Sequence, residues 1–400
     1  MEYFASLQQL FSWSAIVYWI AGFLLLWRIP PVNRGGRGAE DVSIVIPARN
    51  EAGNIGVLLE SIVGQWSRPG EVIVVDDQST DATAEIARGY AAAGVRVVAA
   101  EQRPEGWTGK NWSCRCGVVQ ARGRRILFLD ADTRLEAPDA LEQLASEQLE
   151  RGGMLSVQPY HRVHKLYEQL SGFFNLIVMV GSGAFDFWSK PGLADGCFGP
   201  CILTDRRDYE AVGGHGAVRG QVVDDLALCG LYRRRGLGVH CFGGRGVISF
   251  RMYPGGPASL VEGWTKNMAM GASLSKLRSI LLLVIWFTGI SNVSLAVWAL
   301  AVGGASTALG ALSTAGTWWS AVLVVAVYGL YTAQVWVQLR RVGSFSLLSA
   351  LLFPLEFLFF VGVFVYSIIR TRLFGSVSWK GRSIKIERAK KKVKKRKAQK

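Results

Sequence analysis

The chain has 400 residues, half of them hydrophobic and only 19% charged, with a mean hydropathy of +0.24. That composition excludes intrinsic disorder, a collagen-like repeat and a small disulfide scaffold, and it requires part of the chain to meet lipid. The formal charge of +15 is uneven, because twelve Lys/Arg against one Glu fall between Lys380 and Lys400. Beside membrane spans, such a tail is expected on anionic lipid headgroups, and no nucleic-acid partner is expected. Six cysteines without a C-x-x-C pair read as reduced, buried thiols of a cytosol-facing protein.

Residues 1–38 read as a membrane anchor and linker. Tyr3–Trp27 carries no charge and is long enough for one span, and Arg28, Arg34 and Arg37 then place the following segment in the cytosol. Residues 39–278 form the soluble domain. Apolar runs at Val42–Ile46, Glu71–Val75, Val95–Ala99 and Arg125–Leu129 alternate with helical spacing at Asn54–Trp66, from Asp81 through Ala93, and around Asn111–Arg122. This alternation predicts an α/β fold with a mostly parallel sheet, whose ligands bind beyond the carboxyl ends of the strands. Leu170–Phe185 is uncharged but short for a span, so an interfacial or re-entrant helix is expected at about 170–185.

Residues 279–372 hold the C-terminal membrane helices, with spans expected at Ile280–Val302 and Trp318–Val337. Phe345–Ile369 contains Pro354 and Glu356, and three full spans would carry the basic tail to the wrong face. A broken or re-entrant segment is therefore expected there. Residues 373–400 comprise a W-K-G-R segment and the polybasic tail. The whole reads as a multi-pass protein of the cell membrane with its soluble domain on the cytoplasmic side.

Three acidic groups fall where ligands of such a sheet bind. Asp76-Asp77 closes one strand and Asp130-Ala131-Asp132 closes another. Carboxylates two residues apart share a face and suit one hard divalent ion, although Asp132 also reads as the cap of a helix expected at Ala137–Arg151. The strand before Asp130 and the second acidic pair favour the metal reading. Asp224-Asp225 opens a predicted helix at Leu226–Arg235, and one of the pair is a candidate general base. Lys110 lies in a Gly-rich turn before a helix, a setting that suits phosphate without P-loop spacing. His161, His164 and the cysteines lack metal-ligand spacing and read as packing residues.

Val42–Glu51, Val74–Asp81 and Asp130–Asp132, in this order and spacing, resemble the family 2 glycosyltransferases over about Asp41–Ala272. Gly106–Lys110, Ala194–Cys197, Val223–Asp225 and Trp379–Arg382 continue the likeness, the last as in membrane-bound members that glycosylate lipids. Gly106–Trp112 and Glu262–Asn267 look most like the carotenoid-acid branch, with hopanoid-associated relatives beside it. The resemblance implies a GT-A domain, a UDP-sugar donor (glucose as the sugar), Mg²⁺ or Mn²⁺, and inverting transfer to a membrane lipid acceptor.

Residue by residue, it puts Pro47, Arg49, Asn50, Glu51 and Asp76 at the donor, with Asp77 at the uracil and Lys110 also at the donor. Asp130 and Asp132 would hold the ion against the diphosphate, and Asp225, beside Asp224, would be the base. Processive relatives carry Q-x-x-R-W where this chain has Glu262-Gly263-Trp264-Thr265-Lys266-Asn267. Lys266 then supplies the cation for the leaving diphosphate, Trp264 and Asn267 line the substrate, and single-sugar transfer is favoured over a polysaccharide synthase. A transporter or scaffold with a nucleotide-binding domain is the alternative from another class.

Overall fold

The computed structural model describes residues 2–32, 35, 38–271, 277–307, 315–374, 376–379 and 382–385. After α1 (Glu2–Leu25) the soluble domain runs β1 (Val42–Ala48), α2 (Ile55–Val63), β2 (Glu71–Asp76), α3 (Thr83–Arg88), β3 (Val95–Ala99), α4 (Gly109–Gln120) and β4 (Arg125–Leu129). It continues through β5 (Thr133–Leu135), α5 (Ala140–Arg151), β6 (Met154–Gln158), β7 (Tyr160–His161), α6 (Gly172–Gly181) and β8 (Cys201–Asp205). Then come α7 (Arg206–Ala211), α8 (Gly214–Ala217), α9 (Asp224–Arg234), β9 (Val239–Gly243) and β10 (Ile248–Phe250).

Seven strands form one sheet in the order β3-β2-β1-β4-β8-β6-β9, parallel except for β8. A small sheet, β5-β10-β7, stands beside it. The expected strands and helices of the first half are present, with ends shifted by a few residues. β1 runs on through Pro47 and Ala48 because their register with Val75 and Asp76 continues. Gly64 closes α2, which buries Ile55, Leu58, Leu59 and Ile62 at helical spacing. One expectation is corrected. Asp132 precedes the strand β5, and α5 begins only at Ala140, so Asp132 is not a helix cap.

The remaining elements are α10 (Pro257–Gly271), α11 (Leu277–Thr307), α12 (Ala315–Val342), α13 (Leu347–Leu351), α14 (Phe353–Phe374), β11 (Ser376–Trp379) and β12 (Arg382–Lys385). Among the described residues three helices are long and apolar enough to cross a membrane: α11 over Leu277–Val302, α12 over Ala321–Val342 and α14 over Phe353–Leu373. Within α1 the apolar stretch among described side chains is Ser14–Leu25, shorter than the span expected there.

The third C-terminal segment is broken after α13. Tyr328 of α12 donates to the Leu351 carbonyl, and its ring stacks on Phe353 at 5.0 Å. Pro354 sits in the first turn of α14, where a missing N–H costs nothing. Glu356 is buried and accepts from Ser349 Oγ. From the middle of α12, α14 runs back to the soluble domain, where Ser367 Oγ donates to Thr265 O of α10 at 2.8 Å. β11 then packs on α10 and α14. The chain therefore returns to the domain before the basic tail, whose residues from 386 onward lie outside the described ones.

One face of the sheet buries Ile44, Ile46, Leu58 and Leu127 in a core of its own. The core of the other face is continuous from Val45, Val75 and Phe128 through α6 and α9 to Trp286 and Ile290 of α11 and Tyr331 and Val335 of α12. Gly22 permits the close approach of α1 to α11, since a Cβ there would lie 2.5 Å from Trp286 Nε1. Along α12, Tyr331, Gln334, Gln338 and Arg341 donate to the carbonyls of Ala15, Trp19, Gly22 and Leu26. The steps of three and four on both chains match two helices packed side by side. These bonds satisfy polar groups that lipid cannot.

Replacing Gln334 and Gln338 together by Leu is expected to lower the thermal midpoint of the detergent-solubilised protein, at a cost of about 0.6 kcal/mol per bond. Val325→Leu, on the exposed face of α12, is expected to leave it unchanged in the same melt.

Candidate active site

The loops beyond β1 and β2 are braced against each other. Arg49 Nη1 donates to Asp77 O at 2.8 Å and lies 3.7 Å from its carboxylate. Asn50 adopts a left-handed φ of 51°, which lets its N–H reach Ser79 Oγ and its Oδ1 accept from Thr80 N at 2.8 Å. Glu51 N donates to Thr83 Oγ1, and Asp76 Oδ1 accepts from Ser79 N. Pro47 lies in β1 just before this pair of loops.

Gly109, the first residue of α4, abuts Asp77, and a Cβ there would lie 2.5 Å from Asp77 Oδ2. Only glycine lets the start of this helix come so close. Thr108 Oγ1 caps the helix by accepting from Asn111 N. Asn111 Nδ2 donates to the carbonyls of Val218, Arg219 and Gln221 at 2.9–3.2 Å, joining α4 to the segment before Asp224. The next residue after Gly109, Lys110, puts its Nζ 2.6 Å from Asp130 Oδ1. Both side chains stay about one-third open, so this pair faces a cleft rather than the core.

The charges here are interdependent. Burial pushes the Lys110 ammonium down, but Asp130 and then Asp224 more than reverse this and hold it well above the usual lysine range. Burial likewise favours a neutral Asp224, yet Lys110 and His215 hold its carboxyl below the ordinary range. His215 Nε2 faces Asp224 Oδ2 at 3.6 Å. The His215 backbone N–H donates to Tyr209 OH at 2.9 Å, and that hydroxyl is hydrogen-bonded to Nδ1 at 2.7 Å. For Asp225, burial and then the Asp224 charge push the carboxyl up to about 6, against the pull of Lys110 and of the Leu226 and Gly199 amides. Those amides each donate to it at 2.9 Å.

Asp132 follows Asp130 on the same turn and lies near Tyr253, whose hydroxyl is pushed up by burial and by the Asp132 charge. Asn267 Nδ2 donates to that hydroxyl at 3.0 Å, so α10 reaches this side of the cleft. Lys266 lies beside Asn267 on α10. Trp264 does not line the cleft. It is buried, stacks on Phe174 at 4.7 Å and donates from Nε1 to Ser171 Oγ. Sequence reasoning did not find Asn111, His215 or Tyr209. Only the Gly106–Trp112 stretch signalled the first of them.

Asp130 and Asp132 fit a hard divalent ion. Their donors are carboxylate oxygens in an open cleft, and Asp130 already faces a cation, Lys110. Among the described residues no group of three or more His, Cys, Asp or Glu forms a closed metal cage. Two carboxylates completed by substrate phosphate and water is how Mg²⁺ and Mn²⁺ are usually held.

Residues 43–209 match the family model described as glycosyl transferase family 2. The chain is 38% identical over 349 residues to 4,4'-diaponeurosporenoate glycosyltransferase of Staphylococcus aureus strain USA300, covering 87% of this chain and 89% of that protein. A mannosyltransferase from Pyrobaculum calidifontis, solved with GDP-Man and Mn²⁺, is 18% identical and covers 88% of this chain and 97% of its own, at a TM-score of 0.48. Glucosyl-3-phosphoglycerate synthase from Mycobacterium tuberculosis, solved with Mn²⁺, UDP and glucosyl-3-phosphoglycerate, is 21% identical. It covers 61% of this chain and 86% of its own at a TM-score of 0.40. The chain is thus an enzyme and not a scaffold, and it belongs to the family 2 glycosyltransferases, with a GT-A-like α/β domain.

Proposed function

We propose that the protein transfers one glucose from a UDP-sugar to a carotenoid-acid acceptor held in the membrane, with inversion at the anomeric carbon. The observation that carries this reading is an acidic, lysine-centred cleft in a domain that shares its core with apolar helices. The 38% identity to the diaponeurosporenoate enzyme over most of both chains supports the acceptor class. The segment Glu262–Asn267, lacking the Q-x-x-R-W of processive relatives, supports a single transfer.

In this reading the braced loops Pro47–Glu51 and Asp76–Asp77 frame the nucleoside. The α4 N-terminus and Lys110 face the diphosphate, where backbone amides and an ammonium favour negative charge. Asp130 and Asp132 would hold Mg²⁺ or Mn²⁺, which supplies charge neutralisation for the departing diphosphate. Lys266 adds a point charge, without the fork of an arginine. The acceptor oxygen attacks the anomeric carbon opposite the diphosphate, and that group leaves with the electron pair of the broken C–O bond. Asp224 stays ionised beside Lys110 and keeps Asp225 easier to protonate than an ordinary aspartate.

Asp225 takes the proton when the acceptor is a hydroxyl. A carboxylic acid is already ionised at neutral pH, its pKa being about 4–5. With that acceptor Asp225 orients the nucleophile, and the product is a glycosyl ester.

Mass spectrometry of lipid extracts from expressing and deleted cells tests the function directly. A single hexose increment on a carboxylated terpenoid is expected, whereas a ladder of sugars or an unchanged lipid profile would overturn the proposal. The Asp225 assignment makes a second prediction, read from pH–rate profiles on two acceptors. With a hydroxyl acceptor, kcat/KM should fall about tenfold per pH unit below about 6, because the base is lost as it protonates. With a carboxylic acid that limb should move down to the pKa of the acceptor itself. In Asp224→Asn the hydroxyl limb should also shift to lower pH, since a charge that raises Asp225 is gone. Asp132→Ala should reduce transfer at least about hundredfold and abolish UDP-dependent Mn²⁺ binding measured by electron paramagnetic resonance.

A further inference from the structure

Between α6 and β8 the chain passes through a loop that belongs to the soluble domain yet is tied to the apolar helices α1 and α11. Trp27 N and Arg28 N donate to the Phe185 carbonyl at 2.9 and 3.3 Å, and Phe187 N donates to Leu24 O at 2.9 Å. Arg278, in the first turn of α11, lies 2.9 Å from each carboxylate oxygen of the buried Asp186. Its guanidinium also sits 5.8 Å from the Trp188 ring. Trp27 meets Phe187 edge-on at 5.1 Å, and Phe187 meets Trp188 in the same way at 5.2 Å. The end of α1 and the start of α11 are thus stapled together by this loop.

Although firmly held, the rings are not buried. Trp27, Phe187 and Trp188 remain 53%, 48% and 47% exposed, with Arg28, Lys190 and Leu193 exposed as well. Rigid aromatic side chains mixed with Lys and Arg at the ends of apolar helices match the water–lipid boundary, where the ring lies at headgroup level and the cation reaches phosphate. We propose that Trp27 and the segment 185–190 form a collar whose exposed side chains, Trp27, Phe187, Trp188 and Lys190, sit among phospholipid headgroups, so that the catalytic domain itself docks on the bilayer. Continuity with α1 and α11 selects lipid as the occupant, because the collar lies at the ends of those helices.

The collar leads directly to the site. Phe185 stacks on Phe198 at 5.9 Å and 6°, and Gly196 N donates to Ser182 O, closing the loop. Cys197 Sγ and Gly199 N then donate to the carbonyl and carboxylate of Asp225. Headgroup contact at the collar therefore sets the height of Asp225 above the bilayer, whatever sugar or acceptor is used.

The test needs no enzyme turnover. Full-length protein in nanodiscs of phosphatidylethanolamine and phosphatidylglycerol carries a nitroxide at Trp188→Cys, at Lys190→Cys, which keeps Trp188, or at Glu85→Cys. Glu85 is exposed on α3 at the far edge of the sheet and serves as the aqueous reference. Wild-type protein treated with the same label gives the background from native cysteines. At 188 and 190, the ratio of relaxation by oxygen to relaxation by a water-soluble nickel chelate is expected to exceed that at 85 severalfold. Equal ratios at all three sites would overturn the proposal and leave the patch to a protein partner or a second copy.

Discussion

The candidate site is organised around one ammonium. Asp130 and Asp224 come from different loops, and bringing two carboxylates into a partly desolvated cleft costs free energy unless a cation lies between them. Lys110 supplies that charge, at 2.6 Å from Asp130 and within the field of Asp224. Its own position is fixed by neighbours that carry no charge. Gly109 gives α4 room against Asp77, Thr108 caps the helix, and Asn111 spends both amide hydrogens on carbonyls of residues 218–221. Removing the positive charge would leave a repelling cluster. Moving it by one residue would turn it away from the cleft.

The second constraint is the shared core. The sheet face that carries Val45, Val75 and Phe128 has no boundary with the membrane helices, since apolar packing runs through Phe173, Phe174 and Trp264 to Trp286 and Phe360. A domain joined only by a linker would be free to tilt relative to its anchor. Here the helices, the collar of residues 185–190 and the return of α14 onto α10 hold the catalytic cleft in one orientation. For the proposed transfer, whose two substrates would come from different phases, such rigidity matters because a near-attack geometry tolerates little displacement.

Much of this was legible in the sequence, for identifiable reasons. The apolar runs that became β1, β2 and β4 are buried on both faces, so composition alone marks them, while β3 at the sheet edge is only partly buried; the acidic groups at the strand ends follow from the parallel topology. The break before Phe353 was partly legible, because a Glu and a proline interrupt that apolar run, but α14 from Phe353 holds both residues and is still long and apolar enough to cross a membrane, which the sequence reading did not expect. What could not be read were contacts set by distant packing. The sequence allowed Asp132 to cap a helix, but β10 recruits Thr133–Leu135 into a strand by pairing across more than a hundred residues. His215 and Tyr209 carry no spacing signal, and Asn111 is marked only by its Gly-rich stretch, because their partners depend on the tertiary fold. Trp264 reads from its motif as a substrate contact, yet its ring is committed to Phe174.

That commitment explains how α10 serves the site without an arginine. Trp264 anchors the inner face of the helix through Phe174 and Ser171. One residue earlier, Gly263 leaves space for the Tyr253 ring, which a Cβ would meet at 2.1 Å. Tyr253 itself holds a left-handed φ of 56°, a conformation costly for a bulky residue and retained only where its surroundings dictate it. The surroundings do so here: its carbonyl accepts from Tyr167 OH, its hydroxyl accepts from Asn267, and its ring meets Trp264 edge-on. The inner residues of Glu262–Asn267 therefore fix the helix, and Asn267 is turned toward the Asp132 side of the cleft. In the proposed transfer, the lysine beside it would need less directional precision than an arginine fork, because a point charge stabilises a departing diphosphate over a range of approach angles.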